Sequence, residues 1–417
     1  MIPQIRALPI ATNVSYRTVP ARALPHWSAM RVLICPDKFA GTLTAPQVAE
    51  AIRAGWRESR PADHVEVRPL ADGGPGFVDV LAGALAGERI PVPTCDPLGR
   101  PVQAEILVTD GHAAPGAPVA GPVAYVESAQ ACGLHLLAEA ERDPRVTTSY
   151  GLGALVATAV EVGVRRVVIG LGGSGTNDAG AGLLAALGAA PVDVAGYALP
   201  YGGWALAAVA GLAGAPRLRG VELVAATDVD NPLVGPTGAS HGYGPQKGAR
   251  PEDLPLLDAA LARFAEVLER DLPGCPPGLA DLPGAGAAGG LGAAVLAMGG
   301  RCESGIALVS RTVGLPQALA RADLVVTGEG SFDQQSLRGK AVCGVAAAAR
   351  DRGLPCLVIA GRVTVGRREA AAAGVSAAYS LVEHFGGAEH GGLERAMACP
   401  EEGLRALAAR LAREWSR

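Results

Sequence analysis

Arg165-Arg166-Val167-Val168-Ile169-Gly170-Leu171-Gly172-Gly173-Ser174-Gly175-Thr176-Asn177-Asp178 is the stretch on which the reading of this chain turns. Val167, Val168 and Ile169 form a charge-free β-branched run, the pattern of a buried strand. A glycine-rich turn follows, and residues 181–187 then read as an apolar helix. Asn177 and Asp178 stand at the mouth of that helix, where either can cap it. Glycines let a ligand approach the backbone, and the free N–H groups of a helix start favour an anion. With acidic and amide side chains beside such a cradle, the pattern points to phosphate handling. Residues 170–175 also spell G-x-G-x-x-G, with Asp193 further on, so a dinucleotide fingerprint and a merely tight turn stand beside the phosphoryl reading.

The same strand, turn and helix rhythm runs outward in both directions. Toward the start, residues 31–35 read as a strand, and the loop Pro36-Asp37-Lys38-Phe39-Ala40-Gly41 lies at its carboxyl end. Thr44 and Gln47 form a capping box with Pro46 in the first turn, and Val48, Ile52 and Trp56 mark one buried helix face. Residues 65–70 read as a second strand, followed by Ala71-Asp72-Gly73-Gly74-Pro75-Gly76. Ligands of open α/β sheets gather beyond the carboxyl ends of strands, so two acid- and glycine-bearing loops in that position attract attention. Residues 87–133 look strand-rich and carry a Gly/Pro/Ala insertion at 111–122. Residues 147–153 are a Thr/Ser/Gly-rich approach to a helix over 154–161, either an N-cap or a substrate contact.

Toward the end, residues 221–226 read as a strand closing in Thr227-Asp228-Val229-Asp230-Asn231-Pro232. Carboxylates two apart beside an amide suit a hard divalent cation, although Asx residues before proline also make ordinary turns. Tyr243-Gly244-Pro245-Gln246-Lys247-Gly248 presents a glycine-flanked lysine suited to a phosphoryl group. Residues 253–272 form an amphipathic helix. Residues 324–326 read as a buried strand, with residues 327–336, Glu329 and Asp333 among them, as the loop beyond it. Gly339 and Lys340 open the next helix, but Gln334 and Ala341 rule out a Walker A loop. Residues 356–360 form another core strand, and Leu404, Leu407 and Leu411 share one face of a terminal helix. His384 and His390 flank a glycine loop and read as surface residues.

Composition narrows the class. The 417 residues are 49% hydrophobic but only 4% aromatic, with 57 glycines, which suits layered α/β structure packed through small side chains. A net charge of −4 leaves no basic footprint for nucleic acid. Eight scattered cysteines without a C-x-x-C pair read as reduced thiols of a cytoplasmic protein. An uncharged segment, residues 282–300, is about the length of a membrane span, but its glycines and Pro283 make it a buried loop and helix instead. Residues 1–29 have no acidic residue and no period, and read as a disordered extension: a transit peptide, or translation from an early start codon ahead of Met30. Deleting them is expected to leave activity intact.

Taken together, the loops resemble those of the bacterial type-one glycerate kinases. The resemblance is carried by residues 36–39, 71–74, Gly172-Gly173-Ser174 with Asn177-Asp178, Thr227-Asp228 with Asn231-Pro232-Leu233, residues 244–248, residues 284–290, and residues 327–330 with Asp333, Gln335 and Gly339-Lys340. Ala40 and Pro75 depart from it, since many members have lysine and glutamate there. The resemblance implies two α/β domains, one flavodoxin-like and discontinuous (residues 30–84 and 300–417), the second (residues 85–299) inserted into it. It also implies ATP- and Mg2+-dependent phosphorylation of D-glycerate to 2-phosphoglycerate or 3-phosphoglycerate; binding in a cleft between the domains that closes on substrate is a further expectation.

Phosphoryl transfer to a small anion needs positioning and charge neutralisation more than covalent chemistry. On that basis Lys38, Lys247 and Lys340 are candidates for phosphate or carboxylate, and Asp178, Asp228 and Glu329 for the metal. Gly172, Gly173 and Ser174 form the cradle. Asp178 is the first candidate for general base and Asp72 the second, with Asp37, Gly73, Gly74, Asn177, Asn231, Asp333 and Gln335 as further contacts. A monomer and a homodimer are both compatible with the sequence. The rival functions are an NAD-dependent dehydrogenase of a small hydroxy acid, a kinase of a different hydroxy acid, and an inactive binding module.

Overall fold

The computed structural model describes residues 29–111, 121–338 and 341–416. The extension at residues 1–28, most of the insertion at 111–122, and Gly339 and Lys340 lie outside the described residues. In chain order the strands are β1 (Arg31–Ile34), β2 (His64–Val67), β3 (Glu88–Cys95), β4 (Pro101–Thr109), β5 (Val123–Glu127), β6 (Arg166–Gly170) and β7 (Ala189–Val192). They continue as β8 (Gly211–Gly214), β9 (Glu222–Ala226), β10 (Arg301–Glu303), β11 (Leu324–Phe332), β12 (Cys356–Val363) and β13 (Ala377–Ser380).

Both ends of the described chain build one sheet. Its order is β13-β12-β11-β1-β2 and every pairing is parallel. Counted within this sheet alone the order is 2-1-3-4-5, the flavodoxin-like winding, with its switch point between β1 and β11. The intervening chain builds a six-stranded sheet in the order β10-β9-β6-β5-β4-β3, parallel from β10 to β5 and antiparallel at β4 and β3. β7 and β8 form a separate antiparallel pair. The fold is thus α/β with a discontinuous flavodoxin-like part and a second α/β part inserted into it. β10 pairs with β9, so the inserted sheet runs on to Glu303.

Strand sequences explain the layering. In β1, Val32 and Ile34 face one core while Leu33 faces another; β6 divides Val167 and Ile169 from Val168 in the same way. Period-two alternation between two apolar faces is what makes parallel strands read as continuous hydrophobic runs. The outer face of the five-stranded sheet packs on helices Ala45–Ser59 and Pro400–Trp415. The far face of the six-stranded sheet packs on helices Tyr150–Val162, Leu254–Asp271 and Ala287–Ala297. Between the sheets lies one shared core, in which Leu33, Val325 and Val358 of one sheet join Tyr125, Val168 and Val224 of the other through helix Phe77–Ala84.

The helix at 45–59 carries the expected Thr44–Gln47 capping box, and Val48, Ile52 and Trp56 are buried on its inner face. The uncharged segment at 282–300 contains the buried helix Ala287–Ala297, and no helix among the described residues is long and apolar enough to cross a membrane. One expectation is corrected: β11 does not end at Val326 but runs to Phe332, pairing with β12 as far as Val363. Gly328 permits this, because a Cβ there would sit 2.1 Å from the Ile359 carbonyl oxygen. Glu329 is therefore held in a strand rather than in a loop.

Candidate active site

The carboxyl ends of the parallel strands of both sheets meet in one place. The Gly172 N–H donates to the Gly73 carbonyl at 3.0 Å, and the Asp37 N–H to that of Gly328 at 2.8 Å. Glycine is required where the loops cross. A Cβ on Gly172 would sit 2.6 Å from Gly74 Cα, and one on Gly73 2.6 Å from the Ala226 oxygen, at φ +87°. The G-x-G-x-x-G spacing at 170–175 is accounted for by this packing of backbone on backbone, which removes the reason for reading it as a dinucleotide fingerprint.

Lys38 is the centre of the open part of the site. Its ammonium lies 3.4 Å from Asp72 and 3.8 Å from Asp37. Burial works against its charge, but the two carboxylates outweigh burial and lift its pKa above the ordinary lysine value. Burial raises the Asp37 carboxyl to about 6, against the pull of Lys38, with Asp72 and Glu329 adding to the rise. At Asp72 burial is outweighed by Lys38 and by the Gly74 N–H, which donates to Oδ1 at 3.0 Å, so this carboxyl stays below its ordinary value. Asp72 Oδ2 makes no hydrogen bond among the described residues, and the side chain is 40% exposed.

Asp228 and Glu329 border the same group. Asp228 accepts from the Ser304 hydroxyl at 2.6 Å and from the Ile306 N–H, so it also caps helix Gly305–Thr312; desolvation raises its pKa, with Asp72 contributing. Glu329 is buried on β11 and acts electrostatically on Asp37. Among the described residues no three Asp, Glu, His or Cys side chains form a ready metal cage. Magnesium bound with a nucleotide needs only one or two carboxylates besides phosphates and water, and these acids fit that need.

A second, buried group supports the glycine loop from behind. Asp178 is wholly enclosed: Oδ2 accepts from the Ser149 N–H and hydroxyl, both at 2.8 Å, and from the Gly182 N–H, while Oδ1 accepts from the Gly180 N–H. Burial nonetheless raises its pKa. Lys247, 2% exposed, donates to Ser174 Oγ at 2.9 Å and to the Thr176 carbonyl at 2.7 Å, and burial pushes its amine down to about 7. Asn177 donates to Ser240 at 3.0 Å, and its Oδ1 has no hydrogen-bond partner among the described residues. This geometry makes Asp178 and Lys247 internal ties of the loop.

The remaining candidates fall at the margins. Asn231 is half-buried beside Gly286, which donates to its carbonyl at 3.0 Å. Asp333 shapes the turn after β11, accepting from the Gln335 N–H at 2.9 Å, and the Gln335 side chain is exposed. Lys340 lies outside the described residues. His384 is half-buried against Phe385 and His390 is exposed, away from this group. Glu127, at the end of β5, was missed in the sequence: it reads as one more strand residue, and nothing local shows that it faces Lys38. Its carboxyl is buried, which raises its pKa to about 7, and it accepts from the Gly76 and Val78 N–H groups at 3.0 and 3.3 Å.

Comparison with known proteins identifies the family. The model of the glycerate kinase family matches residues 32–416. The glycerate 2-kinase of Escherichia coli is 40% identical over 364 residues, 86% of this chain and 92% of that protein. The glycerate kinase of Halalkalibacterium halodurans is 40% identical over 355 residues, 84% and 90% of the two chains. A crystal structure assigned to glycerate kinase 2 of Salmonella typhimurium superposes with a TM-score of 0.76 at 39% identity, covering 93% of this chain and 99% of that one. The chain belongs to the glycerate kinase family.

Proposed function

We propose that this protein is a kinase that uses ATP and Mg2+ to phosphorylate a hydroxyl of D-glycerate, working where the strand ends of the two α/β domains meet. The division into a domain of residues 30–84 and 300–417 around an inserted domain of 85–299 is part of this reading, with the second boundary moved past Glu303 by the β10 pairing. The observation that carries it is Lys38 bracketed by Asp37 and Asp72 at the switch point of the flavodoxin-like sheet, where ligands of such folds bind. Relatives named as glycerate kinases at about 40% identity support the substrate, and the name of the Escherichia coli relative favours the 2-phosphate as product.

The bound nucleotide supplies the phosphoryl group. Lys38 offsets negative charge on substrate and phosphate, the main requirement of this chemistry. Asp72 takes the proton of the attacking hydroxyl on Oδ2, a role that passes to it from Asp178 because Asp178 is enclosed and fully hydrogen-bonded. Asp228 and Glu329 would hold the metal. Gly73, Gly74, Gly172 and Gly173 let the loops pack closely enough to form the cradle for the anion. Ser174, Asn177 and Lys247 hold the cradle in shape, and Asn231, Asp333 and Gln335 complete the rim.

An ATP-consumption assay with D-glycerate, coupled to enolase without a mutase, tests this directly. Direct conversion by enolase identifies the 2-phosphate, and ATP use without conversion identifies the 3-phosphate. Turnover of another hydroxy acid in preference to glycerate would overturn the substrate, and absence of ATP turnover with every acid tried would overturn the kinase. Asp72→Asn is expected to lower kcat by about 10²- to 10⁴-fold, as loss of a general base does; near-normal turnover would clear Asp72.

A further inference from the structure

We propose that Glu127 is a positioning residue for the reaction: its carboxyl group pins the Ala71-Asp72-Gly73-Gly74-Pro75-Gly76 turn so that Asp72 and Gly74 are presented to Lys38 and the bound anion. This rests on the kinase reading above. Glu127 ends β5 of the inserted sheet, whereas the turn ends the β2 segment of the other sheet, so the carboxyl bridges the two halves of the site. One oxygen, Oε2, accepts both the Gly76 and Val78 N–H groups, the first donors of helix Phe77–Ala84.

The start of the turn is already held, Gly73 accepting from the Gly172 N–H at 3.0 Å and Gly74 from the Phe77 N–H at 3.1 Å, so the Glu127 contact fixes its far end at Gly76. Gly73 and Gly76 adopt φ of +87° and +91°, and Gly76 offers no side chain to cap the helix it begins. A Cβ on Gly74 would sit 3.5 Å from Lys38 Nζ, so a shift of the turn by an ångström changes the surroundings of the ammonium. Oε1 makes no hydrogen bond among the described residues, and Glu127 borders a cavity of about 350 Å³ together with Gly76, Val78 and Gln130. That space gives the group a route for proton exchange.

Charged neighbours set what a change of protonation does. Lys38 faces Glu127 from the loop after β1, and Asp79 faces it from helix Phe77–Ala84. Across the cavity Glu105 on β4 is paired with Arg89 on β3, which also holds Asp79. The protonated acid keeps Oε2 as an acceptor, so the turn stays pinned without added negative charge beside Lys38. The carboxylate pins it more firmly, since those N–H bonds favour the charged form, but it opposes an anionic substrate, and burial places this change at about 7.

Glu127→Gln keeps the acceptor and removes the ionisation, whereas Glu127→Ala removes both. In full-length protein, Glu127→Ala is expected to lower kcat/KM for D-glycerate by about 10- to 100-fold, the scale of a misplaced catalytic group. Glu127→Gln should stay within about threefold of wild type at pH 7, and the rise of its glycerate KM between pH 6 and 8.5 should be smaller than in wild type. Amide hydrogen exchange across residues 71–80, without substrate, should be faster in Glu127→Ala and unchanged in Glu127→Gln. Wild-type turnover and exchange in Glu127→Ala, a Glu127→Gln protein as impaired as Glu127→Ala, or coincident KM–pH curves for wild type and Glu127→Gln would each overturn the proposal. If wild type itself shows no ATP-dependent turnover of glycerate, the kinase reading falls, and the exchange result still decides whether Glu127 pins the turn.

Discussion

Lys247 and Asp178 were each expected to serve the chemistry directly, and their enclosure argues for a supporting role. Both carry the chemistry expected of phosphoryl transfer, and both are turned inward to tie the loop at 172–182 to its neighbours. Burial holds the Lys247 amine near 7 instead of 10.5. Between those values the unfolded chain binds a proton that the folded chain does not, so stability rises with pH across that window. Lys247→Met should remove this slope, at most about 1.4 kcal/mol per pH unit, and urea titrations of both proteins at pH 7 and 9 measure the difference. Parallel curves would show that the amine stays charged in the folded protein. Asp178→Asn replaces an oxygen that accepts N–H groups with an amide that donates. A loss of about 3 kcal/mol in unfolding free energy is expected, since hydrogen bonds to a buried charge are involved. An Asp178→Asn protein of normal stability but no activity would instead restore Asp178 as the base.

Among the elements, the glycine run at 284–290 has the most specific job. Ala288, Gly289 and Gly290 all adopt positive φ, at 54°, 71° and 90°, before the regular helix continues. They let this segment lie directly on the cradle: Gly289 accepts from the Ala179 N–H at 2.9 Å, and a Cβ on Gly289 would sit 1.9 Å from the Thr176 oxygen. Gly289→Ala should therefore cost about 3 kcal/mol or more and lower kcat, because the cradle must shift. Gly344 is the counter-case: exposed in helix Ala341–Arg350, with no atom within 4 Å of a Cβ placed on it. Gly344→Ala should stabilise the protein by about 0.5–1 kcal/mol, read from the same urea titrations. Both glycines look alike in the sequence; only their neighbours separate them. The Thr44–Gln47 cap was legible beforehand because its four residues make all of its contacts among themselves. The extension of β11 was not, since it depends on Gly328 meeting a strand that lies some thirty residues further along.

For the whole molecule, the shared core between the sheets constrains motion. Leu33, Val325 and Val358 on one side and Tyr125, Val168 and Val224 on the other are all buried in one apolar cluster. Separating the sheets would expose it, at about 25 cal/mol for each Å² uncovered. Ligand-driven closure is therefore expected to be confined to the loops at the strand ends. Small-angle scattering should give the same radius of gyration with and without nucleotide plus D-glycerate, while hydrogen exchange slows in the loops at 36–40, 72–76 and 227–231. A measurable compaction would show that the two sheets move as rigid bodies despite their common core.

What the amino-acid sequence by itself determined was the set of local units: buried β-branched runs, capped helices, and acid- and glycine-bearing turns at the ends of strands. Those follow from contacts among residues close in the chain, so periodicity and turn chemistry suffice to read them. The flavodoxin-like order became visible only when both chain ends were seen in one sheet, because strand neighbours are chosen by packing across hundreds of residues. The same holds within the site. Asp72 and Asp178 have equal standing as side chains, and enclosure by Ser149, Gly180 and Gly182 is what turns one inward while Lys38 keeps the other at the surface. Glu127 gained its place for the same reason, since its two N–H partners lie some fifty residues earlier and meet it only in the folded chain.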